Sequence, residues 1–240
     1  MTPPASEPNK VAIITGASQG IGAGLVEAYR RAGYAVVGTS RSISSSDEPG
    51  FITVQGDVTQ VDTAQRVVDE ATRHFGRIDT LINNAGLFIG KPFDEYTPGD
   101  LTAVAGVNLA GFFHMTQRAV RTMLLQGTGH IVNISSSLVE HANSDAVAAL
   151  ASLTKGGLAA VTRSLAIEYA SRGVRVNAVS LGVIKTPMHG PESYEAMAAL
   201  HPLGRVGEIS DVVDGILYLE RATFVTGETL HIDGGQAAGH

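Results

Sequence analysis

The sequence predicts a doubly wound α/β fold, a parallel sheet of seven strands with helices on both faces. Three observations predict it. Short β-rich runs alternate with helix-spaced segments along the 240-residue chain. The strand segments read as continuous apolar runs, as strands buried on both faces do. A glycine-rich turn, running from Thr15 through Gly16, Ala17, Ser18, Gln19, Gly20 and Ile21 to Gly22, separates the first strand from the first helix.

Val11–Thr15 is the first strand, and Ile21–Ala32 carries helical spacing up to Gly33, a residue suited to ending a helix. Ala35–Thr39 and Phe51–Gln55 are the second and third strands, joined across the polar loop Ser42–Gly50. Thr63–Phe75 is helical, with Ala64, Val67, Val68 and Ala71 on one stripe. Thr80–Asn83 is the fourth strand, Leu101–Leu125 a long helix and His130–Ser135 the fifth strand. Val147–Ser171 is a second long helix, Val174–Ser180 the sixth strand and Glu228–Ile232 the seventh. Repeats, linkers and low-complexity tracts are absent from the sequence. These segments predict one domain over residues 10–240, preceded by a disordered lead over residues 1–9.

Lysine and arginine number 17 against 23 aspartates and glutamates, a formal net charge of −6. That balance gives no electrostatic reason to bind nucleic acid or an anionic membrane. No cysteine is present, so disulfides and thiolate metal sites are excluded, and the scattered histidines lack ligand spacing. The first residues lack a basic and then apolar stretch, and no apolar run reaches the ~18 residues of a membrane helix. The expectation is a cytoplasmic protein without a metal.

The turn at 15–22 has the context of a pyrophosphate cradle. Gly16 permits the tight turn, Gly20 lets backbone approach the phosphates, and Gly22 allows close helix–strand packing. The helix start then offers amides and a partial positive charge to the anion. Where an NAD site places an acidic residue after the second strand, this chain has Ser40 and Arg41. A guanidinium there grips a 2′-phosphate bidentately, which favours NADP(H) over NAD(H).

With these elements in order, the chain resembles the short-chain dehydrogenase/reductase family from Lys10 to Gly235. The glycine turn, Asp57-Val58, the run Asn83-Asn84-Ala85-Gly86, Asn108, Ser135-Ser136 after the fifth strand, Arg175-Val176-Asn177, Thr186 and Asp233-Gly234-Gly235 carry the likeness. The resemblance implies a Rossmann-type fold and hydride transfer between a nicotinamide and a carbonyl or alcohol. It implies that Asp57 and Val58 contact adenine, that Asn84, Ala85 and Gly86 border the cofactor, and that Thr186 meets the nicotinamide carboxamide. It also implies that Asn108 holds a catalytic water, Ser136 the substrate oxygen and Lys155 the nicotinamide ribose. The family's helix pairing between subunits implies a homotetramer or dimer, consistent with apolar residues on more than one face of Val147–Ser171.

One expected residue is missing. The family places a tyrosine four residues before its lysine, and here Ala151 stands four before Lys155. No tyrosine lies between Tyr96 and Tyr169, so a register slip does not restore it. Leu181 replaces the usual proline before Gly182, and Ser136 lies about two residues further from the lysine than the family pattern. Carbonyl reduction needs a proton on oxygen, and alanine has none to give. Three readings stay open. One is an active NADP(H) oxidoreductase with another donor, for which His141, Tyr194 or a water held by Asn108 and Lys155 are candidates. Another is a non-catalytic NADP-binding sensor or partner subunit. The third is a Tyr-to-Ala trapping variant of an active reductase. Substrate choice falls to the segment 186–206, where Met188, Met197 and Leu200 form an adaptable apolar lid and His189 and His201 read as surface residues.

Overall fold

The computed structural model describes residues 10–144, 146–188, 190 and 194–239; the expected N-terminal lead and His189 lie outside them. Seven strands form one sheet in the order β3-β2-β1-β4-β5-β6-β7. They are β1 (Val11–Thr15), β2 (Ala35–Ser40), β3 (Phe51–Gln55), β4 (Thr80–Asn83), β5 (Gly129–Ser136), β6 (Val174–Leu181) and β7 (Thr229–Ile232). Every neighbouring pair is parallel.

The strand order reverses between β1 and β4, which are hydrogen-bonded neighbours with Ile13 opposite Leu81. Crossovers run one way from β1 and the other way from β4, so the loops at the carboxyl ends of these strands part and leave a crevice. All five residues of β1 are buried, as the apolar run requires. Val11 and Ile13 pack on one face of the sheet, Ala12 and Ile14 on the other.

Helices cover both faces. α2 (Val61–Phe75), α4 (Phe112–Gln126) and α5 (Ala149–Tyr169) contribute to the first core, and α1 (Gly20–Arg31) and α7 (Ile209–Arg221) to the second. The remaining α-helices are α3 (Pro98–Ala105) and the short α6 (Tyr194–Ala198). Burial of each Val, Leu or Ile in these cores contributes about 1.5–3 kcal/mol.

The single helix expected over Leu101–Leu125 is in fact interrupted. α3 begins earlier, at a capping box in which Thr97 and Asp100 bond each other's backbone amides and Pro98 opens the first turn. A π-helical turn, Gly106–Gly111, then separates α3 from α4. Gly111 packs where a Cβ would lie 2.8 Å from a Val58 methyl. α7 has no counterpart in the sequence expectation, although Val212, Ile216 and Leu219 share one buried face and Glu208 and Asp211 form its capping box.

α7 also carries a buried carboxylate that ties the amino end of the sheet together. Glu220 accepts hydrogen bonds from the hydroxyls of Tyr29 at 3.0 Å, Tyr34 at 3.1 Å and Thr80 at 2.9 Å, and lies 3.0 Å from His130 Nδ1. The Asn177 amide sits 3.1 Å from His130 Nε2. With Asn177 donating to Nε2, the imidazole is neutral and its Nδ1 proton belongs to Glu220. Burial holds the His130 pKa below its ordinary value, in agreement with a neutral ring. Burial alone would raise the Glu220 pKa, but hydrogen bonds from His130, Thr80 and Tyr29 outweigh it and hold the carboxyl at about 2.

Candidate active site

The crevice at the carboxyl ends of the strands is a cleft of about 1220 Å³. That exceeds the roughly 300–1,000 Å³ typical of a site for one small ligand and leaves room for two molecules side by side. Its walls come from the segments following β1 to β6 together with α5 and α6.

The glycine turn lies at one end. Gly16 and Gly20 have φ of 67° and 56°, in the left-handed region that favours glycine. A Cβ on Gly22 would lie 2.1 Å from the Gly16 carbonyl oxygen, so no side chain fits there. Thr15 fixes the turn against the next strand: its hydroxyl accepts from the amides of Asn84 at 3.0 Å and Ala85 at 2.9 Å. The Asn84 side chain donates back to the Thr15 carbonyl at 2.8 Å. α1 then starts at Gln19 with no side chain capping its amides and no acid in its first turn. Ser18, Gln19, Gly20 and Ile21 all line the cleft. A pyrophosphate fits this cradle, because bare backbone, uncapped amides and the helix dipole converge there.

Beyond the cradle, Ser40, Arg41 and Ser42 follow β2 and line the same cleft. The Arg41 carbonyl accepts from the Gln55 side chain at 2.9 Å, and its exposed guanidinium forms no ion pair among the described residues. Asp57 and Val58 follow β3. One Asp57 carboxylate oxygen accepts from the Thr59 amide at 2.9 Å.

Lys155 lies on α5, half-buried, and donates from Nζ to the Ile134 carbonyl at 2.7 Å. Burial lowers its pKa to about 8. A Cβ on Gly86 would come within 3.2 Å of Nζ, so Gly86 leaves open the space in front of the ammonium. Ser136 ends β5 and lines the cleft, accepting from the Leu138 amide at 3.3 Å. Its own proton has no acceptor among the described residues. Ala151, one helical turn before Lys155, also lines the cleft. Thr186 closes the far side, and its carbonyl accepts from the Tyr194 hydroxyl at 3.4 Å.

Asn108 sits in the π-helical turn with its side chain already committed. It donates to the Leu87 carbonyl and to Thr154 Oγ1, both at 3.0 Å, and accepts from the Leu87 amide at 2.8 Å. It therefore braces the wall after β4 against α5.

Of the histidine expectations, the surface reading of His201 is corrected. His141 is not among the residues lining the cleft. Its amide closes a turn onto the Ser137 carbonyl at 2.9 Å, and the neighbouring Glu140 draws this segment toward the edge strand by pairing with His231 at 2.5 Å. His201 is not a surface residue: it is 3% exposed and accepts from the Val183 amide at 3.1 Å. The signal for its burial is in the sequence, because His201 is flanked by the apolar run Ala196-Met197-Ala198-Ala199-Leu200 and by Pro202-Leu203. Tyr194 does not line the cleft either. Gly90, Leu138, Asn143 and Val147, which do, were absent from the expected site.

Residues 16–237 match the sequence model of the family described as enoyl-(acyl carrier protein) reductase. The chain is similar to the 3-oxoacyl-(acyl-carrier-protein) reductase FabG of Thermotoga maritima, 36% identical over 240 residues and covering 94% of this chain and 97% of that protein. Its fold is similar to that of ElxO with NADP bound, with a TM-score of 0.90 at 30% identity over 96% of this chain and 100% of the other. A short-chain type dehydrogenase/reductase from Mycobacterium marinum gives a TM-score of 0.90 at 29% identity, covering 97% and 98%. A family match over nearly the whole length, borne by this sheet order and this glycine cradle, means that the chain belongs to the short-chain dehydrogenase/reductase family of oxidoreductases.

Proposed function

We propose that this protein is an NADP(H)-dependent oxidoreductase acting between a carbonyl and an alcohol, with a proton route that does not use a tyrosine. The observation that carries the reading is the Lys155 ammonium, held beside Gly86 in the cleft that contains both the glycine cradle and Ser136. Bound NADPH supplies the hydride. The backbone of residues 16–22 grips its pyrophosphate, Arg41 its 2′-phosphate, and Asp57 and Val58 border the adenine. Asn84, Ala85 and Gly86 line the central stretch, and Thr186 and Lys155 hold the nicotinamide end.

Ser136 donates its free proton to the substrate oxygen and orients it. Lys155, with a pKa near 8, is the proton reservoir. Ala151 leaves room beside it for solvent to pass that proton to the oxygen. The backbone of the turn containing Asn108 holds the incoming end of that solvent path. ElxO, a structural relative, carries NADP, which supports the choice of cofactor.

Arg41→Ala tests this choice. NADPH affinity is expected to fall by about tenfold to a hundredfold, in line with loss of a charge-assisted bidentate contact, while NADH affinity stays unchanged. Calorimetric titration with both cofactors reads it, and tighter binding of NADH by the parent protein contradicts it.

A second reading, a non-catalytic NADP-binding protein, draws on Ala151 itself. Ala151→Tyr separates the two. Carbonyl reductase activity that appears only in the variant favours the non-catalytic parent, whereas loss of an activity the parent has favours the enzyme.

We also propose a dimer or tetramer. Leu153 and Ile167 on α5 are 62% and 81% exposed, and Phe113 on α4 is exposed as well. Sedimentation at micromolar concentration is expected to show an oligomer that Ile167→Glu shifts toward monomer; a monomeric parent contradicts this.

A further inference from the structure

Resting on the hydride-transfer reading, we propose that Ala151 determines substrate class. The reactive end of the cleft takes an uncharged carbonyl compound that carries a bulky apolar group on the carbonyl carbon.

The first support is charge. Among the described residues, the ionisable side chains lining the cleft are Arg41, Asp57 and Lys155. Arg41 and Asp57 follow β2 and β3, on the wing of the sheet away from β5 and β6. Lys155 is therefore the only ionisable group of the substrate end among those residues. It already donates to the Ile134 carbonyl. Among the described residues, a substrate carboxylate would have to share that one ammonium, with only uncharged groups beside it, so most of its desolvation cost stays uncompensated.

The second support is the wall itself. Leu138, Val147 and Ala151 line the cleft on one side, and Met188, Met197 and Leu200 line it from the segment after β6. The uncharged polar residues of this end, Ser135, Ser136, Ser137, Asn143, Thr186 and Gln236, line the cleft between these apolar side chains. Apolar surface of this extent rewards an apolar ligand, and methionines adapt to its shape.

The third support is where the room lies. Ala151 and Lys155 are four residues apart on α5 and so share a face, one turn from each other. A large side chain at 151 would occupy the space next to the ammonium, and the alanine methyl leaves it open. The neighbouring segment after β5 is fixed on the same wall. Ser152 donates to the Leu138 carbonyl at 3.0 Å, and Glu140 pairs with His231 on the edge strand. These two contacts anchor residues 138–140 beside α5.

The test is titration calorimetry on the full chain saturated with NADP+, using acetophenone, benzoylformate and acetone as probes. Binding is read without turnover. Acetophenone is expected to bind most tightly, with benzoylformate and acetone each weaker by about tenfold or more. Ala151→Phe refills the space without adding a proton donor. It is expected to weaken acetophenone about tenfold and leave NADPH affinity unchanged, with Ala151→Val giving a smaller loss in the same direction. Benzoylformate binding as tightly as acetophenone would overturn the proposal, as would acetophenone affinity unaltered in both variants. A parent chain that binds no NADPH would overturn the hydride-transfer reading and this one with it. A parent that binds NADPH but prefers benzoylformate overturns this one alone.

Discussion

Lys155→Ala is expected to lower kcat/KM for NADPH-dependent carbonyl reduction by about 10²–10⁴-fold, the range set by losing a positioned proton donor. On the proposed route the effect falls on kcat as well as KM, because the ammonium would supply the developing alkoxide with its proton as well as hold cofactor. The pH profile gives a second reading of the same group. Burial has lowered the Lys155 pKa to about 8. The protonated form supplies the proton, so reduction is expected to be full below pH 8 and to decline as the pH rises through it. Alcohol oxidation needs the free amine and is expected to change in the opposite sense. Steady-state rates from pH 6 to 10 check this; about one decade is lost per pH unit above the pKa. A reduction rate that is flat across that range, or insensitive to Lys155→Ala, would remove the lysine from the proton route.

Glu220→Ala is expected to cost about 3–5 kcal/mol of stability, the largest folding effect of any single change considered. The carboxylate accepts from Tyr29, Tyr34, Thr80 and His130, and alanine would leave these buried donors without an acceptor. In a chain of this size the loss corresponds to a fall of about 10 °C in Tm, measured by thermal unfolding. Glu220 meets Thr80 and His130 at the amino ends of their strands and the cleft opens at the carboxyl ends, so NADPH affinity of the folded variant should be unchanged. The same network sets an acid limb. Glu220 is held at about 2 in the fold, below the usual carboxylate value. The unfolded chain therefore takes up its proton first as the pH falls, and the stabilisation is present above pH ~4.5 and lost between there and pH ~2. Glu220→Gln should flatten that part of the stability profile. A variant as stable as the parent at neutral pH would mean that the network is incidental to folding.

The sheet was legible in the sequence because its strands are short apolar runs with turns between them; β1, β3 and β4 lie at the expected bounds. The glycine cradle was equally legible, since backbone at a switch point has few alternatives to glycine. Elsewhere tertiary context decided. The π-helical turn at Gly106–Gly111 depends on Asn108 reaching Leu87 and Thr154, contacts between segments far apart in sequence. His201 is polar by type but packs against Gly182 and Gly234, contacts between segments apart in sequence. His141 has a suitable imidazole at a suitable distance along the chain, yet the turn onto Ser137 and the Glu140–His231 pair keep it off the cleft wall. In α7 the capping residues and an apolar face are both in the sequence, with Gly215 set within the helical pattern.

What Ala151 means for the chemistry rests on one measurement. NADPH carrying deuterium at the transferable position of the nicotinamide should be mixed with the parent chain and a neutral aryl ketone, and the alcohol analysed by mass spectrometry. The account predicts deuterium on the carbinol carbon at a rate that depends on Lys155. Ketone recovered unlabelled and unreduced while NADPH stays bound would contradict it.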